Sequence, residues 1–232
     1  MAKSNPFSFR RPGRSLGADA VVVIGLGRFG SALALELMAT GTDVLGIDAD
    51  EETVQSLNGR LTHVVRADST KETTLRQLSV HQFDRAVVGI GSDLQSSILT
   101  TSLLLRFGAA TVWAKATSDA HGEILKQLGT HHVVYPEHDM GRREAHLVRS
   151  DILDFIEIED GFAMVKTRPP AHVVGRPLGT TDVRATHGIT VVAVKPRTGT
   201  WGYATADTVL GSDDTIIVAG ETARAEAFGR LR

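Results

Sequence analysis

Three glycines near the start of the sequence have the spacing of a dinucleotide-binding turn. In the stretch VVVIGLGRFG, four apolar residues from Val21 onward lead into Gly25, Gly27 and Gly30. The first glycine of such a turn permits the sharp bend, the second lets the backbone approach a pyrophosphate, and the third lets helix and strand pack closely. The following helix N-terminus adds N–H donors and a positive dipole. The stretch therefore predicts a phosphate-binding loop.

Acidic residues follow at the ends of the next two predicted strands. Asp48 of GIDAD lies 18 residues after Gly30, where a carboxylate accepts hydrogen bonds from both ribose hydroxyls and repels a 2′-phosphate. This favours NAD, ATP or ADP over NADP. The alternative role, capping the next helix, is available to Asp50 instead. Asp68 of VVRADST either reaches the adenine side of the site or caps the helix that starts near Lys71.

Other residues extend the predicted site. Arg28 lies inside the glycine loop, where a guanidinium can pair with a terminal phosphate. Some dehydrogenases also carry arginine at this place, so Arg28 alone does not identify the ligand. Gly91 and Ser92 end the fourth predicted strand and can line the pocket with backbone.

The surrounding sequence predicts a scaffold that brings these strand ends together. From Ala20 to about Tyr135, six strand-like segments alternate with five helix-like segments, including helices over Glu51 to Leu57 and around Lys71 to Leu78. Parallel strands need crossover connections, so this alternation predicts a doubly wound parallel α/β sheet of the Rossmann type.

The pattern changes near Pro136. EHDMGRREAHLVRSD predicts one exposed linker helix, because arginine and glutamate occupy several of its faces. DFIEIEDGFAMVKTR predicts a hairpin that turns at Asp160 and Gly161, and ITVVAVKP and DTIIVAG predict further strands of a small α+β domain. The predicted divisions are an arm over 1–18, a nucleotide-binding domain over 19–135, a linker helix over 136–150 and a C-terminal domain over 151–232.

The first 18 residues are predicted to be a flexible basic arm, punctuated by Pro6, Pro12, Gly13 and Gly17. The arm lacks the apolar segment of a signal peptide. Its cations suit a membrane surface or a partner, and a plain disordered tail is the alternative. The side chains concerned are Lys3, Arg10, Arg11 and Arg14.

The composition narrows the classes of function. A formal net charge of −2 over 232 residues lacks the basic field of nucleic-acid binders, so we expect no nucleic-acid partner. The absence of cysteine excludes disulfides, thiolate nucleophiles and cysteine-bound zinc. No apolar run approaches the roughly 18 residues that would span a bilayer.

Six stretches together resemble a known family. They are VVVIGLGRFG, GIDAD, RADST, VGIGSDLQSSILT, VWAKA and YPEHDMG, and a generic dinucleotide-binding domain has no reason to carry the last two. They resemble the RCK-type cytoplasmic regulatory subunits of bacterial Trk/Ktr potassium-uptake systems. The likeness covers nearly the whole chain after about residue 19, and GRPLGTTDVRATHGITVVAVKP resembles the family's C-terminal domain.

The resemblance implies an adenine nucleotide, ATP or ADP, on the glycine loop with its ribose on Asp48. It implies that Arg28 contacts the terminal phosphate of ATP, on the neighbouring subunit, and that Lys115 adds positive charge. Glu137 matches a family carboxylate at the subunit interface that helps to hold Mg²⁺ or Ca²⁺. The nucleotide-binding set so predicted is Gly25, Gly27, Arg28, Phe29, Gly30, Asp48, Ala49, Asp68, Ser69, Ile90, Gly91, Ser92, Lys115 and Glu137.

The resemblance also implies an assembly. Family subunits form dimers and then rings, typically octamers, beneath a membrane-embedded potassium-translocating partner, which places them in the cytoplasm at the cell membrane. ATP and ADP favour different ring shapes, and that difference gates the pore. Some members respond to NAD(H) instead. Some members bind cyclic di-AMP in the C-terminal domain. In this chain the matching residues either bind that ligand or only pack in an ordinary dimer interface; they are Val173, Val174, Asp182, Val183, Arg184 and His187.

An enzyme is the competing class. An NAD-dependent oxidoreductase needs an acid or base beside the nicotinamide, and His172 and His187 have no evident orienting partner. His131 and His132 are adjacent in a predicted strand and point to opposite faces, so they cannot chelate one metal together. A transcriptional regulator would need a helix-turn-helix or a basic face. The residues therefore favour a sensor without catalysis.

Overall fold

The computed structural model describes residues 20–109 and 111–231. The predicted basic arm over 1–18, together with the membrane or partner contact considered for it, lies outside this range. The chain divides into two compact units between Glu137 and His138. No helix of the described residues is long and apolar enough to cross a membrane.

The first unit is built on a six-stranded parallel sheet with strand order β3-β2-β1-β4-β5-β6. The chain moves outward from β1 to β3 and then returns to pair β4 with β1. This arrangement confirms the predicted doubly wound sheet. Its strands are β1 Val21–Ile24, β2 Val44–Asp48, β3 His63–Arg66, β4 Arg85–Val88, β5 Thr111–Lys115 and β6 His132–Val134.

Helices cover both faces of this sheet. In β1, Val22 and Ile24 pack into one buried cluster with side chains of α3, α4 and α5, whereas Val21 and Val23 pack into another with α1 and α2. Burial on both faces explains why the strand is a continuous apolar run. The helices are α1 Arg28–Ala39, α2 Glu51–Leu57, α3 Glu72–Gln77, α4 Leu94–Arg106 and α5 Asp119–Gln127, with a 3₁₀ turn at Val80–Gln82.

The second unit contains an antiparallel sheet of five strands in the order β10-β9-β11-β8-β7. The predicted hairpin is present, and Gly161 in its turn has a φ of +84°. Together with its helices, this sheet confirms the α+β architecture. The elements are β7 Asp154–Glu159, β8 Phe162–Thr167, α7 Val183–His187, β9 Ile189–Lys195, β10 Gly202–Tyr203, β11 Thr215–Glu221 and α8 Thr222–Gly229.

The remaining helix, α6 Pro136–Val148, contains the predicted exposed segment. None of its residues, all of which are described, is buried. In the second unit, Arg143 donates to Asp154 of β7 at 2.6 Å, which lowers the pKa of that carboxyl group. His146 contacts Glu226 of α8 and stacks on Phe155 of β7. Polar and aromatic contacts thus hold this helix, together with Leu147, which packs against the core of the second unit.

Candidate functional site

A cleft of about 620 Å³ lies at the carboxyl ends of the parallel strands, next to the reversal of strand order between β1 and β4. Clefts at such points are the usual ligand sites of open α/β sheets. Every residue predicted to bind nucleotide lines it except Gly30. Lining residues that the sequence did not assign to the ligand include Asp50, Thr53, Thr70, Gly89, Asp93, Ser96 and Thr117.

The glycines of the loop have three different surroundings. Gly25 has a φ of +88°, which disfavours side chains. A Cβ atom on Gly30 would lie 1.9 Å from the carbonyl oxygen of Gly25, so Gly30 permits α1 to pack against the loop. A Cβ atom on Gly27 would have no described atom within 4 Å. The backbone at Gly27 is therefore open to a ligand.

A fourth glycine, Gly89, completes this packing and was not predicted as part of it. A Cβ atom there would lie 2.7 Å from the carbonyl oxygen of Gly25 and 3.4 Å from the Cα atom of Gly30. Gly89 follows β4, whose partner β1 is distant in sequence. Only the pairing of these strands brings the three glycines together.

The N-terminus of α1 suits a phosphate. Among the described residues, no side chain caps this helix and its first turn contains no acidic residue. Its first N–H groups therefore keep a site for an anion, with the favourable dipole of the helix behind them. Together with the open backbone at Gly27, this arrangement fits the phosphates of a nucleotide.

Asp48 ties the glycine loop to β2. One carboxylate oxygen accepts the N–H of Leu26 at 2.6 Å and the other accepts the N–H of Asp50 at 2.9 Å. Asp50 caps α2 by accepting the N–H of Thr53 at 2.7 Å. A carboxylate has about four acceptor positions, so Asp48 retains capacity for ribose hydroxyls.

Asp68 and Ser69 line the cleft just beyond the carboxyl end of β3, next to the strand that carries Asp48. Asp68 accepts the N–H and the hydroxyl of Thr70, and these bonds lower the pKa of its carboxyl group. The N-cap residue of α3 is Lys71, so Asp68 does not cap that helix. The hydroxyl of Ser69 lies 2.9 Å from the hydroxyl of buried Thr100 on α4. A ligand in the cleft would therefore meet mainly the backbone of Ser69.

An ion pair lies in the cleft at the carboxyl end of β5. Lys115 donates to Glu137 at 2.5 Å, and the lysine side chain is 11% exposed whereas the glutamate side chain is 62% exposed. The Lys115 ammonium also lies 6.0 Å from the centre of the Phe29 ring. The hydrogen bond from Lys115 lowers the pKa of Glu137, and the charges of Lys115 and Arg28 act in the same direction.

The metal prediction rests on Glu137 alone. The described residues contain no group of three or more histidine and acidic side chains placed to hold one ion. A cation at Glu137 would therefore take its other ligands from phosphate oxygens, water or a further chain. His131 and His132 have separate partners, because His131 accepts the N–H of Val112 and His132 stacks on Trp113.

The residues considered for cyclic di-AMP lie in the second unit. Val173 and Val183 belong to its buried core, so their side chains support the region from beneath. Arg184 donates to the hydroxyl of Thr190 at 3.1 Å. The His187 ring lies 5.3 Å from the His172 ring. The other members of the predicted set are Val174 and Asp182.

Comparisons with known sequences agree with one another. Residues 21–136 match the model of the TrkA-N domain. The chain is 36% identical over 207 residues to Ktr system potassium uptake protein C of Bacillus subtilis, which covers 89% of this chain and 94% of that protein. It is 31% identical over 199 residues to Ktr system potassium uptake protein A of the same organism, covering 85% and 90% respectively.

Two solved structures share the fold. The GsuK RCK domain has a TM-score of 0.63 and the GsuK channel bound to NAD has a TM-score of 0.62, both at 17% identity. They cover 91% and 90% of this chain. The chain in turn spans 47% and 39% of those longer chains, so the likeness concerns part of each.

The glycine loop gives a matched pair of substitutions. We expect Gly30→Ala to lower the free energy of unfolding by about 1–3 kcal/mol, because its methyl group meets backbone that cannot yield. Gly27→Ala has room for the methyl group and should change stability by less than roughly 1 kcal/mol while weakening nucleotide binding. Urea denaturation and calorimetric titration with ADP measure the two effects, and equal losses of stability would contradict this division.

Asp48→Ala should weaken binding of every adenosine nucleotide by a similar factor. The ribose is common to all of them, and the loop that Asp48 holds is common as well. Titration calorimetry with ATP, ADP and NAD measures this, with the ratio of the ATP and ADP affinities as the internal control. Unchanged affinity for all three ligands would remove Asp48 from the ribose role.

Proposed function

The chain belongs to the TrkA-N family of RCK-type regulatory subunits from Ktr and TrkA potassium-uptake systems, and on that premise we propose that it senses adenine nucleotides and gates a potassium-translocating membrane partner. Regulation of potassium uptake is the role that its relatives indicate. The finer proposal is that ATP and ADP are the ligands that switch it. In this proposal the chain binds the nucleotide without catalysing a reaction.

The observation that carries this proposal is the charge at the phosphate end of the cleft. A ligand shifts a conformational equilibrium only through its different affinities for the two states. ATP differs from ADP by one phosphate, so the residues that distinguish them must be charged groups near that phosphate. Arg28 and Lys115 supply two cations there, and Glu137 supplies one carboxylate.

The Lys115–Glu137 ion pair can change its partners when a phosphate enters the cleft. Because Lys115 is largely buried and already paired, a phosphate that reaches it must compete with Glu137. Glu137 is mostly exposed and can exchange its lysine for water or for Mg²⁺ or Ca²⁺ held by the phosphates. We place Glu137 at the cation for this reason. Its partner would then differ between the ATP and ADP states.

The assembly belongs to the same proposal. Dimers of the chain form an octameric ring in the cytoplasm, and the ring acts on the cytoplasmic side of the membrane partner. Self-association is supported by apolar side chains exposed to solvent on α4, on α5 and at the C-cap of α5, since such exposure is typical of contact surfaces. These side chains are Leu94, Leu99, Ile124 and Leu128.

An NAD(H)-sensing subunit is the second candidate. Asp48 suits the adenine ribose of NAD as well as that of ADP, and one structure of the same fold is a channel bound to NAD. Cyclic di-AMP stays a separate proposal for the second unit, where Arg184 and His187 are the side chains that would meet it.

Thermal-shift titration of the full chain tests the choice of ligand. ATP and ADP should each stabilise the protein, by about 2.7 kcal/mol at 100 times the dissociation constant. Mg²⁺ should enlarge the ATP shift if Glu137 takes part in a cation site. A shift with NADH alone would overturn the proposal in favour of the NAD(H) candidate. Cyclic di-AMP in the same series tests the second unit.

Arg28→Ala should weaken ATP binding more than ADP binding, because the guanidinium is expected to meet the terminal phosphate. Arg85→Ala is the matched control, since Arg85 is an exposed arginine at the opposite, amino-terminal end of β4. Titration calorimetry gives the four dissociation constants. Equal losses for the two nucleotides would show that Arg28 does not distinguish them.

A further inference from the structure

We propose that His121 and Gly122, consecutive residues in the first half of α5, are positioning residues for the Lys115–Glu137 pair. His121 fixes the strand end that carries Lys115, and Gly122 fixes the strand end that leads to Glu137. The inference rests on the proposed nucleotide site, because it concerns the groups that distinguish the terminal phosphate.

His121 holds the backbone that follows β5. Its ring is buried, with 2% of the residue exposed, and Nδ1 accepts the N–H of Thr117 at 3.3 Å. The hydroxyl of Thr117 lies 3.4 Å from the same nitrogen. An accepting Nδ1 requires the proton on Nε2, and burial lowers the pKa of His121, which keeps the ring neutral. The neutral ring thus fixes Thr117.

The other ring nitrogen of His121, Nε2, takes no part in holding the backbone of Thr117. Nε2 is buried and has no hydrogen-bond partner among the described residues. A buried unpaired donor disfavours folding, and an apolar side chain would avoid that penalty. An apolar side chain would, however, lack the acceptor Nδ1 that His121 presents to the N–H of Thr117.

Thr117 and Lys115 share one wall of the cleft. A Cβ atom on Gly91 would lie 3.2 Å from the Lys115 ammonium nitrogen and 3.3 Å from the methyl carbon of Thr117. Both side chains therefore pack against the same glycine. When His121 fixes Thr117, it also limits where the Lys115 ammonium can lie.

Gly122 acts on the other member of the pair. A Cβ atom there would lie 1.7 Å from the hydroxyl oxygen of Tyr135 and 2.6 Å from its Cζ atom. The tyrosine thus occupies a notch in α5 that only glycine leaves open. Glycine is unfavourable inside a helix, so the notch has a stability cost of its own. Tyr135 precedes Glu137 by two residues, and seating its ring fixes the start of α6.

The connection between β5 and β6 explains why one helix turn reaches both groups. α5 is the crossover between these neighbouring strands, and Lys115 and Glu137 lie at or just beyond their carboxyl ends. His121 contacts Thr117, which follows β5, and Gly122 contacts Tyr135, which follows β6. In this proposal α5 fixes the two backbone segments that carry Lys115 and Glu137, and so keeps the pair within hydrogen-bond distance.

The test measures the ratio of ATP to ADP affinity for the full chain by titration calorimetry. His121→Leu removes the acceptor, whereas His121→Asn replaces Nδ1 with an amide oxygen. Gly122→Ala forces the tyrosine out of its notch. Gly141→Ala is the matched control, because a Cβ atom on this glycine of α6 has no described atom within 4 Å.

We expect His121→Leu and Gly122→Ala each to lower the ratio roughly fivefold, the effect of losing about one hydrogen bond. His121→Asn should restore most of it, and Gly141→Ala should match the wild type. In a Lys115→Met background, His121→Leu should change the ratio no further. Should His121→Leu or Gly122→Ala fail to fold, Tyr135→Phe gives a milder variant that removes only the hydroxyl in the notch.

The outcomes distinguish a failure of the proposed nucleotide binding from a failure of the positioning roles of His121 and Gly122. A wild-type chain that binds neither ATP nor ADP overturns the proposed function. If the wild type binds both and Lys115→Met alters the ratio, an unchanged ratio in the folded positioning variants overturns this inference alone. A full additional loss from His121→Leu in the Lys115→Met background also overturns it, because the histidine would then act by another route.

Discussion

The close backbone contact between Gly25 and Gly30 is the constraint on which the cleft depends. A side chain on Gly30 would overlap the Gly25 carbonyl oxygen, and one on Gly89 would press on the same oxygen. Without side chains at these positions, the end of β1, the start of α1 and the end of β4 meet at contact distance. The N–H groups of α1 then face the opening between the strands, where an anion can reach them.

The cleft around this contact has acidic side chains at one end and cationic groups at the other. Asp48 and Asp68 lie toward the second and third strands, and each accepts a hydrogen bond from a backbone N–H group. Arg28, Lys115 and the N-terminus of α1 lie toward the other end. A nucleotide has hydroxyl and amino donors at one end and phosphates at the other. In the proposed function, this arrangement would orient an adenine nucleotide by charge as well as by shape.

The sequence predicts the parts of this structure that depend on local pattern. Alternating strands and helices give the parallel sheet, and the spacing of Gly25, Gly27, Gly30 and Asp48 gives the position of the cleft. It does not reveal Gly89 as part of the loop packing, nor the notch at Gly122, nor the bond between Ser69 and Thr100. These contacts join residues that lie far apart in sequence or that have no periodicity, so only the folded chain brings them together. For Asp68 the sequence left two roles open, and the structure places the N-cap of α3 at Lys71 instead.

In the first unit, the residues that hold the fold are largely separate from those that line the cleft, and this affects which substitutions can change ligand preference during evolution. The buried clusters on the two faces of the sheet hold the fold, whereas the cleft is lined mainly by residues at strand ends and in the loops beyond them. Substitutions of exposed lining residues, such as Arg28 and Glu137, can change the ligand preference with little effect on the core. Related proteins can therefore share this fold and still bind different ligands. Sequence identity across the core is then a poor guide to which ligand each of them binds.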